Sequence, residues 1–283
     1  MSNAHVSVRD ALYEAPGPKT RRRTAIGTGI ALAAIAFLAV GVVRQFYITG
    51  QLDSKYWSIF TKSTTWKFLG QGIAGTLEVA LTAGVITFGL GFLLMLGRIS
   101  DSKVVRGIAT ALVEFTRGVP TLLFLYFFFL VVPQFGLTLP SFWKITLPVA
   151  ISACGVVAEV FRSGVKAVPK GQRETALSIG MSKSHVFLKV VFPQAIRYVI
   201  PALLSELVIV VKDTTFAYVV TFPDLMQNAK VLISNYDALL SVYLVVAVIY
   251  ILINYLLNRA SDFAARRRNR TLMAAQQNGN KGV

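Results

Sequence analysis

Long apolar stretches alternate with short polar segments along this 283-residue chain. A helix needs ~20 mainly apolar residues to cross the hydrocarbon core of a bilayer. The stretches that meet this length are residues 25–43, 72–97, 113–135, 142–162, 198–222 and 239–258. The pattern therefore predicts an all-α integral membrane protein with six transmembrane helices.

The polar run between the fourth and fifth stretches, residues 162–197, has a pattern of its own. A short helix is expected over 170–179, because it follows a proline and ends before Gly180, which tolerates the left-handed conformation of a helix end. Ser182 can cap a second helix that runs through Leu188. The apolar face of this corner would consist of Ala176, Leu177, Ile179, Met181, Val186 and Phe187. Such a face suggests a protein partner, and the alternative is a loop that packs only under its own bundle.

The segments on either side of the core differ from it in composition. In the connection over 44–71, Trp57 and Trp66 are expected to anchor an external amphipathic segment near the lipid headgroups. The first apolar helix could be mistaken for a signal peptide, but no clear cleavage site follows it, so a retained anchor is expected. The chain is thus expected to divide into residues 1–71, a core over 72–260 with the loop at 162–193, and a basic, partly disordered tail over 261–283.

Charge placement predicts the orientation in the membrane. The chain is 54% hydrophobic and 15% charged, with a mean hydropathy of +0.60 and a net charge of +16. Such a charge can indicate nucleic-acid binding, but basic membrane proteins commonly carry it in cytoplasmic loops. With both termini in the cytoplasm, the cytoplasmic segments hold 22 of the 29 lysines and arginines. This asymmetry supports six crossings, places the loop at 162–197 in the cytoplasm and argues against a nucleic-acid partner.

Smaller signals concern packing inside the bilayer. Thr76, Ala80 and Gly84 are four residues apart, a spacing that lets two helix backbones approach closely. A backbone donor is missing within or at the end of a helix at Pro120, Pro148 and Pro201. Each proline predicts a kink, which can serve tight packing or line a pathway.

Ionisable side chains inside a membrane are costly and usually face a cavity or a partner. The candidates for a substrate pathway are Glu78, Glu206, Lys212 and Asp213, with the adjacent Thr214 and Thr215. Lys212 and Asp213 point about 100° apart on a helix, so they cannot simply neutralise each other. Cationic and anionic groups together would suit a zwitterionic cargo. A polar clamp between helices explains each of these residues equally well.

Other chemical groups are sparse. Glu159 and Arg162 can pair on one helix face, and we expect the pair to hold the loop to the bundle. His5 and His185 have no neighbouring ligands at a metal spacing, and the single Cys154 cannot form an intrachain disulfide. No phosphate-binding loop or hydrolase motif occurs, so the chain is not expected to be an enzyme and ATP would be hydrolysed by another chain.

The loop sequence resembles that of a known family. Glu174–Ala176, Gly180 and Val190–Pro193 are similar to the EAA loop in membrane subunits of bacterial ATP-binding cassette (ABC) importers. In that family the loop enters a cleft on the ATPase, whose nucleotide-driven closure rocks the membrane helices. The resemblance implies ATPase contacts at Gly171, Gln172, Glu174, Thr175, Ala176, Gly180, Met181 and Pro193. The family's alanine, isoleucine and leucine are replaced here by Thr175, Val190 and Phe192, which are mild departures.

Further segments resemble the polar amino-acid branch of these importers. They are Glu114–Leu122, Glu159–Val165 with Val168–Glu174, and Pro193–Ala195 with Lys212–Phe216. In the segment Lys212–Phe216, Thr215 and Phe216 replace the family's usual serine and leucine. The resemblance covers residues 72–258, the branch's five-helix core, and the additional N-terminal helix makes the chain most similar to glutamate-uptake permeases.

This resemblance implies a permease subunit for polar amino acids, glutamate first, in a bacterial cytoplasmic membrane. The implied partners are a second permease, paralogous or identical, two ATP-binding subunits and an extracytoplasmic amino-acid-binding protein. No cofactor is expected on this chain, since ATP and magnesium would be bound by the ATPase. The alternative is an ion-gradient-driven secondary transporter or channel. No internal repeat of the kind common in secondary transporters is found, and gradient coupling gives no reason for the loop.

Overall fold

The computed structural model describes the backbone of residues 17–279 and the side chains of 17–260 and Phe263. All regular structure in this range is helical. The helices are, in chain order, α1 Pro18–Ile48, α2 Ser63–Arg98, α3 Lys103–Gly118, α4 Thr121–Phe135, α5 Ser141–Ala167, α6 Lys170–Ser178, α7 Lys183–Val220, α8 Leu225–Tyr236 and α9 Leu239–Gly279. Short helical turns at Ser54–Trp57 and Ser58–Thr61 precede α2. The predicted all-α class is confirmed.

The chain forms two compact units, Met1–Tyr56 and Trp57–Val283. In the first unit, α1 begins at Pro18, a position where the missing backbone N–H is no loss. Its 31 residues would extend about 46 Å, which is longer than the hydrocarbon core of a bilayer. The predicted span at 25–43 is therefore the central part of a longer helix.

Among the described residues, five helices are long and apolar enough to cross a membrane: α1, α2, α5, α7 and α9 as far as Ala260. The pair α3 and α4 passes the same test together, which raises the number to six if the bent pair is one span. The chain is an integral membrane protein, and all of its predicted spans except 113–135 coincide with single helices.

The predicted span at 113–135 is wrong as a single straight helix, because α3 and α4 meet at an angle of 97°. Pro120 has no N–H to donate and disfavours helical geometry in the residue before it. Val119 is accordingly extended, with φ −93° and ψ 126°. The helix before the bend, α3, is amphipathic, and the side chains that it buries are Ala109, Val113 and Thr116.

The prolines inside the other spans have a smaller effect. α5 and α7 remain helical through Pro148 and Pro201. Of the three prolines considered in the sequence, Pro120 is the one at which a helix ends.

The core of the second unit includes two apolar clusters along the spans. One joins α2, α5 and α7 around Val79, Val149 and Val210. The other includes Val157 and Leu203, closer to the end of α5 that leads into the loop. Since α5 packs against both α2 and α7, the start of the loop is held by the centre of the bundle.

The connection predicted over 44–71 is shorter in the structure. The helices on either side, α1 and α2, extend into it and leave residues 49–62 between them. Trp57 lies in this connection, whereas Trp66 already belongs to the first turns of α2. The Trp66 Nε1 donates to the Phe60 carbonyl at 2.7 Å. Both tryptophans are partly exposed, at 38% and 49%, as expected of side chains near an interface.

A helix that the sequence did not predict, α8, turns back along α2. Its 12 residues lie between two residues with left-handed backbone, Thr221 with φ 53° and Asp237 with φ 52°. The Asn228 Nδ2 donates to the Phe68 carbonyl of α2 at 2.8 Å. The side chains that α8 buries are Leu225, Asn228, Ala229 and Leu232. This helix is part of the core although it is too short to cross a membrane.

Close approaches of α8 and α7 to α2 account for its small residues. The Leu225 amide donates to Thr76 Oγ1 at 3.1 Å. A Cβ on Gly75 would lie 2.5 Å from a carbonyl oxygen in the turn before α8. Ala80 is buried, and Gly84 leaves room for a side chain of α7. The predicted small-residue spacing is therefore a helix-packing surface.

The last helix, α9, continues as far as Gly279. Disorder is predicted for about the last ten residues; the described part of that segment has a helical backbone, and residues 280–283 lie outside the described residues. Residues 1–16 of the predicted N-terminal region lie outside them too.

Candidate functional site: the loop helix and the polar groups behind it

The loop between α5 and α7 is an ordered helical corner. After α6, Gly180 takes a left-handed backbone with φ +84°. Its amide donates to the Leu177 carbonyl at 3.0 Å, and the Met181 amide donates to the Ala176 carbonyl at 3.2 Å. These two bonds form a Schellman C-cap. The predicted short helix and its glycine stop are confirmed.

The helix after the corner is much longer than predicted. Ser182 Oγ accepts from the His185 amide at 3.5 Å, so it caps the start of α7 as expected. However, α7 does not stop after Leu188, but continues into a membrane span through a π-helical segment at Val186–Val191. The corner is therefore joined directly to a transmembrane helix and not to a second short helix.

A glutamine side chain joins the loop helix to α7. Gln194 Nε2 donates to the Val190 carbonyl at 2.9 Å and to Gln172 Oε1 at 3.4 Å. Gln172 lies on α6 and Gln194 on α7, so this hydrogen bond links the two helices that meet at the corner. The sequence pattern alone assigned no role to Gln194, which entered only through a resemblance.

The predicted apolar face of the loop divides into two parts. Ala176 and Val186 are 5% and 2% exposed and pack together against the bundle. Leu177 and Ile179 are 39% and 75% exposed. The two that are half-buried are Met181 and Phe187. The loop therefore packs on its own bundle and still presents large apolar side chains to another surface.

The residues to which the resemblance assigns ATPase contacts differ in burial. Those exposed are Gly171, Gln172, Glu174, Thr175 and Gly180; Ala176 is buried, and Met181 and Pro193 are half-buried. The Glu174 carboxylate forms no ion pair with the described residues. One side of α6 therefore carries polar and apolar groups that its own bundle does not use.

Close to the loop, an ion network joins three helices. Arg98 at the end of α2 has a side chain only 9% exposed; it contacts Glu159 of α5 at 2.6 Å and Glu114 of α3 at 3.8 Å. Glu159 also pairs with Arg162 at 2.5 Å, and Glu114 with Arg117 at 3.6 Å. Charges removed from water need such partners. The network holds the ends of α2, α3 and α5 together.

The predicted pair between Glu159 and Arg162 forms on one face of α5, but it connects to a different part of the chain from the one expected. Both residues lie on α5, and Glu159 reaches Arg98 on α2, so the pair connects two spans. Neither side chain bonds to residues 170–182 in the described part of the chain. Arg98 was missed because it is 61 positions from Glu159, which no local spacing can reveal.

A second polar cluster lies where α4, α5 and α7 meet. Thr121 Oγ1 donates to Asp213 Oδ2 at 2.9 Å and lies 2.9 Å from Ser152 Oγ. A threonine hydroxyl has one proton, so its donation to the carboxylate leaves Ser152 as the donor in the second bond. Thr121 begins α4 directly after Pro120, and the bend at this proline sets its direction. The cluster consists of one carboxylate and two hydroxyls.

The other pathway candidates are spread along the helices. Glu206 is buried and lies two turns before Asp213 on the same face of α7. Glu78 and Lys212 are exposed. The hydroxyls that bond to carbonyls of their own helix are those of Thr214 and Thr215. The sequence analysis missed Thr121 and Ser152, although a lone serine in the apolar stretch at 142–162 is a usable signal for a polar partner.

Asp224 is an acidic residue that the sequence analysis also missed. It caps α8, since its Oδ1 accepts from the Gln227 amide at 2.7 Å. The side chain is fully buried, and burial raises the pKa of Asp224 to about 6 because the charged form loses its hydration. Its place at the start of α8 makes it a structural cap.

Comparison with known proteins identifies the class. Residues 88–270 match the model of the family described as binding-protein-dependent transport system inner membrane component. This range contains the loop, the ion network and the Asp213 cluster. The chain belongs to this family, and the class indicated by the loop resemblance is confirmed.

Individual relatives share the class. The glutamate transport system permease protein GluD of Corynebacterium glutamicum is 31% identical over 222 residues, which are 77% of this chain and 81% of that protein. The probable glutamine ABC transporter permease protein GlnM of Bacillus subtilis is 33% identical over 196 residues, 69% of this chain and 91% of GlnM. A crystal structure of an amino acid ABC transporter matches with a TM-score of 0.69 at 28% identity, over 74% of this chain and 97% of that one.

Proposed function

We propose that the chain is the permease subunit of an ATP-driven importer of polar amino acids, with glutamate as the first candidate cargo. The observation that carries the proposal is the loop, an ordered corner that is joined to a membrane span and leaves Leu177 and Ile179 exposed. Similarity to proteins named for glutamate and glutamine transport supports the cargo class. The chain would form the path through the membrane, while another chain hydrolyses ATP.

Charge supports one orientation of the chain in a bacterial cytoplasmic membrane. With the loop at 162–197 in the cytoplasm, 22 of the 29 lysines and arginines lie in cytoplasmic segments. Both termini are then cytoplasmic, and the bent pair of α3 and α4 counts as one crossing. An ATPase would reach α6 from the cytoplasm.

The loop geometry supports a role in transmitting motion. The exposed side chains of Leu177 and Ile179 would enter a cleft on the ATPase, with Glu174 beside them. Because the corner at Gly180 leads straight into α7, a displacement of α6 would move α7. The bond between Gln172 and Gln194 strengthens that connection. ATP and magnesium would be bound by the ATPase and not by this chain.

The cluster at Asp213 lies on the same helix and would respond to that motion. A shift of α7 against α4 would break the bond between Thr121 and Asp213 and free a carboxylate oxygen. Ammonium groups, which all amino acids carry, form strong charge-assisted hydrogen bonds to carboxylates. We therefore propose that the cargo's ammonium group binds at Asp213, with Glu206 on the same face of α7.

The complete importer would contain further subunits. We propose a second permease, identical or paralogous, two ATP-binding subunits and an extracytoplasmic amino-acid-binding protein. The family's own description supports the last of these, since it names dependence on a binding protein.

Uptake of labelled amino acids by cells lacking the chain tests the function. We expect ATP-dependent glutamate uptake to be lost, and to return with the wild-type chain. Complementation with Asp213→Asn should fail although the protein inserts normally. Unchanged ATP-dependent uptake of every amino acid would refute the proposal. Uptake that follows the ion gradient and not ATP would indicate a secondary transporter.

A further inference from the structure

A groove of about 720 Å³ lies beside the loop helix. Its floor is apolar and is formed by Phe92 and Leu96 from the last turns of α2, Val165 from the end of α5, and Val186 and Phe187 from the start of α7. We call this the loop groove. Because its floor begins within three membrane spans and its rim continues past their ends, the groove lies at a membrane boundary.

The rim of the loop groove is cationic. Asp101 is the one acidic residue that lines it in the described part of the chain, and it is already paired with Lys183 at 2.8 Å. The hydrogen bond from Lys183 lowers the pKa of the Asp101 carboxyl. The remaining charged groups, Lys166, Lys170 and Arg173, are exposed and form no ion pair with the described residues. Three cations therefore lie above an apolar floor, whereas Leu177, Ile179 and Glu174, the side chains proposed to contact the ATPase, do not line the groove.

We propose that the loop groove binds an anionic phospholipid, with its phosphate at Lys166, Lys170 and Arg173 and the first part of an acyl chain on the apolar floor. An apolar floor that ends in unpaired cations matches an amphiphile with a negative head, and basic pockets between helices at a membrane surface bind such headgroups. A free phosphate would use the rim but leave the floor uncovered. The site is independent of the proposed cargo and could exist without it.

Photo-crosslinking in bilayers tests the lipid site. The full-length chain is placed in phosphatidylcholine vesicles that contain a trace of a photoreactive phosphatidylglycerol, and the labelled peptides are mapped. We expect labels within 92–101 and 183–191. Each cation in contact with the headgroup should strengthen binding of an anionic lipid about five-fold. Lys166→Gln with Arg173→Gln should therefore reduce labelling of these peptides by more than ten-fold.

Two control variants separate the site from a general charge effect. Lys103→Gln with Lys189→Gln removes two exposed cations that do not line the groove, and should leave groove labelling within two-fold. Lys166→Arg with Arg173→Lys keeps the charge and should preserve labelling.

Several results would overturn the proposal. These are equal labelling by a photoreactive phosphatidylcholine, an equal loss in both double glutamine variants, and displacement of the lipid by inorganic phosphate at the same concentration. In the assembled importer, crosslinks from the groove to the ATPase in place of lipid would assign this surface to the protein partner and would also overturn it.

Discussion

The two short helices of the second unit, α6 and α8, are built in similar ways but packed very differently. Both end at residues with left-handed backbone, Gly180 after α6 and Asp237 after α8. α8 is fastened to α2 by bonds from Leu225 and Asn228. α6 buries a single side chain, Ala176. One helix is part of the core, and the other stands largely outside it.

This difference indicates which helix is available to another protein. A helix held by close backbone contact at Gly75 and by buried hydrogen bonds cannot move without disturbing the bundle. α6 is attached mainly through the chain itself and one glutamine bond, while Leu177 and Ile179 remain uncovered. We infer that α8 stabilises the permease and that α6 transmits force from a partner. Substitutions in the two helices should therefore differ in what they damage.

The largest loss of stability is expected at Gly75, where α2 closely approaches the turn before α8. Gly75→Leu would place a Cβ 2.5 Å from a carbonyl oxygen, and overpacking of this kind costs about 3 kcal/mol. Gly70→Leu is the matched control, since a Cβ there has no neighbour within 4 Å. Thermal unfolding of the detergent-purified protein should show a large fall in Tm for Gly75→Leu alone. Equal Tm values would show that α8 is not packed in this way.

At the loop, we expect a smaller loss of stability and a larger loss of assembly. Gly180→Arg forces a side chain into left-handed backbone, at a cost of about 1–2 kcal/mol, and changes the direction of the corner. Membrane insertion should be normal, whereas co-purification of the ATPase should be lost. Gly180→Asn serves as the control, because asparagine tolerates this conformation and should keep the ATPase bound. If Gly180→Arg retained the ATPase, the corner would not be the docking element.

The smallest effect is expected at the cap of α8. Asp224→Ala removes the acceptor for the Gln227 amide and should cost about 1 kcal/mol, whereas Asp224→Asn keeps an acceptor. Because the folded-state pKa is raised from 3.8 to about 6, the folded protein holds this proton more tightly than the unfolded chain. Wild-type stability should therefore fall relative to Asp224→Asn as pH rises from about 4 to about 6, and then level off. Tm values of the wild type and of Asp224→Asn across this pH range check the sign of the effect. A difference in Tm that stays constant with pH would contradict it.

Local chemistry explains what the sequence could predict. A glycine stop and a serine cap act within a few residues, so the corner at Gly180 and the start of α7 could be derived from spacing. The length and composition of α2, α5 and α9 were likewise sufficient to recognise spans. The EAA resemblance then identified the family.

The errors involve contacts between distant parts of the chain. Apolar content could not distinguish a straight span from the bent pair at Pro120, because α3 is amphipathic and α4 carries the apolar run. α8 was missed since it is short and is stabilised by close contacts with small residues of α2. The bond from Thr121 to Asp213 joins residues 92 positions apart, and no periodicity predicts it.

The most direct test of the account asks which short helix touches the ATPase. The chain's single cysteine, Cys154, is buried, so a cysteine introduced on the surface can carry a photoreactive maleimide selectively. In the assembled importer, Ile179→Cys on α6 should crosslink efficiently to the ATPase, whereas Lys230→Cys on α8, which the proposed orientation places on the extracytoplasmic side, should not. Absence of an ATPase crosslink from position 179, or equal crosslinking from both positions, would contradict the proposal that α6 is the docking helix.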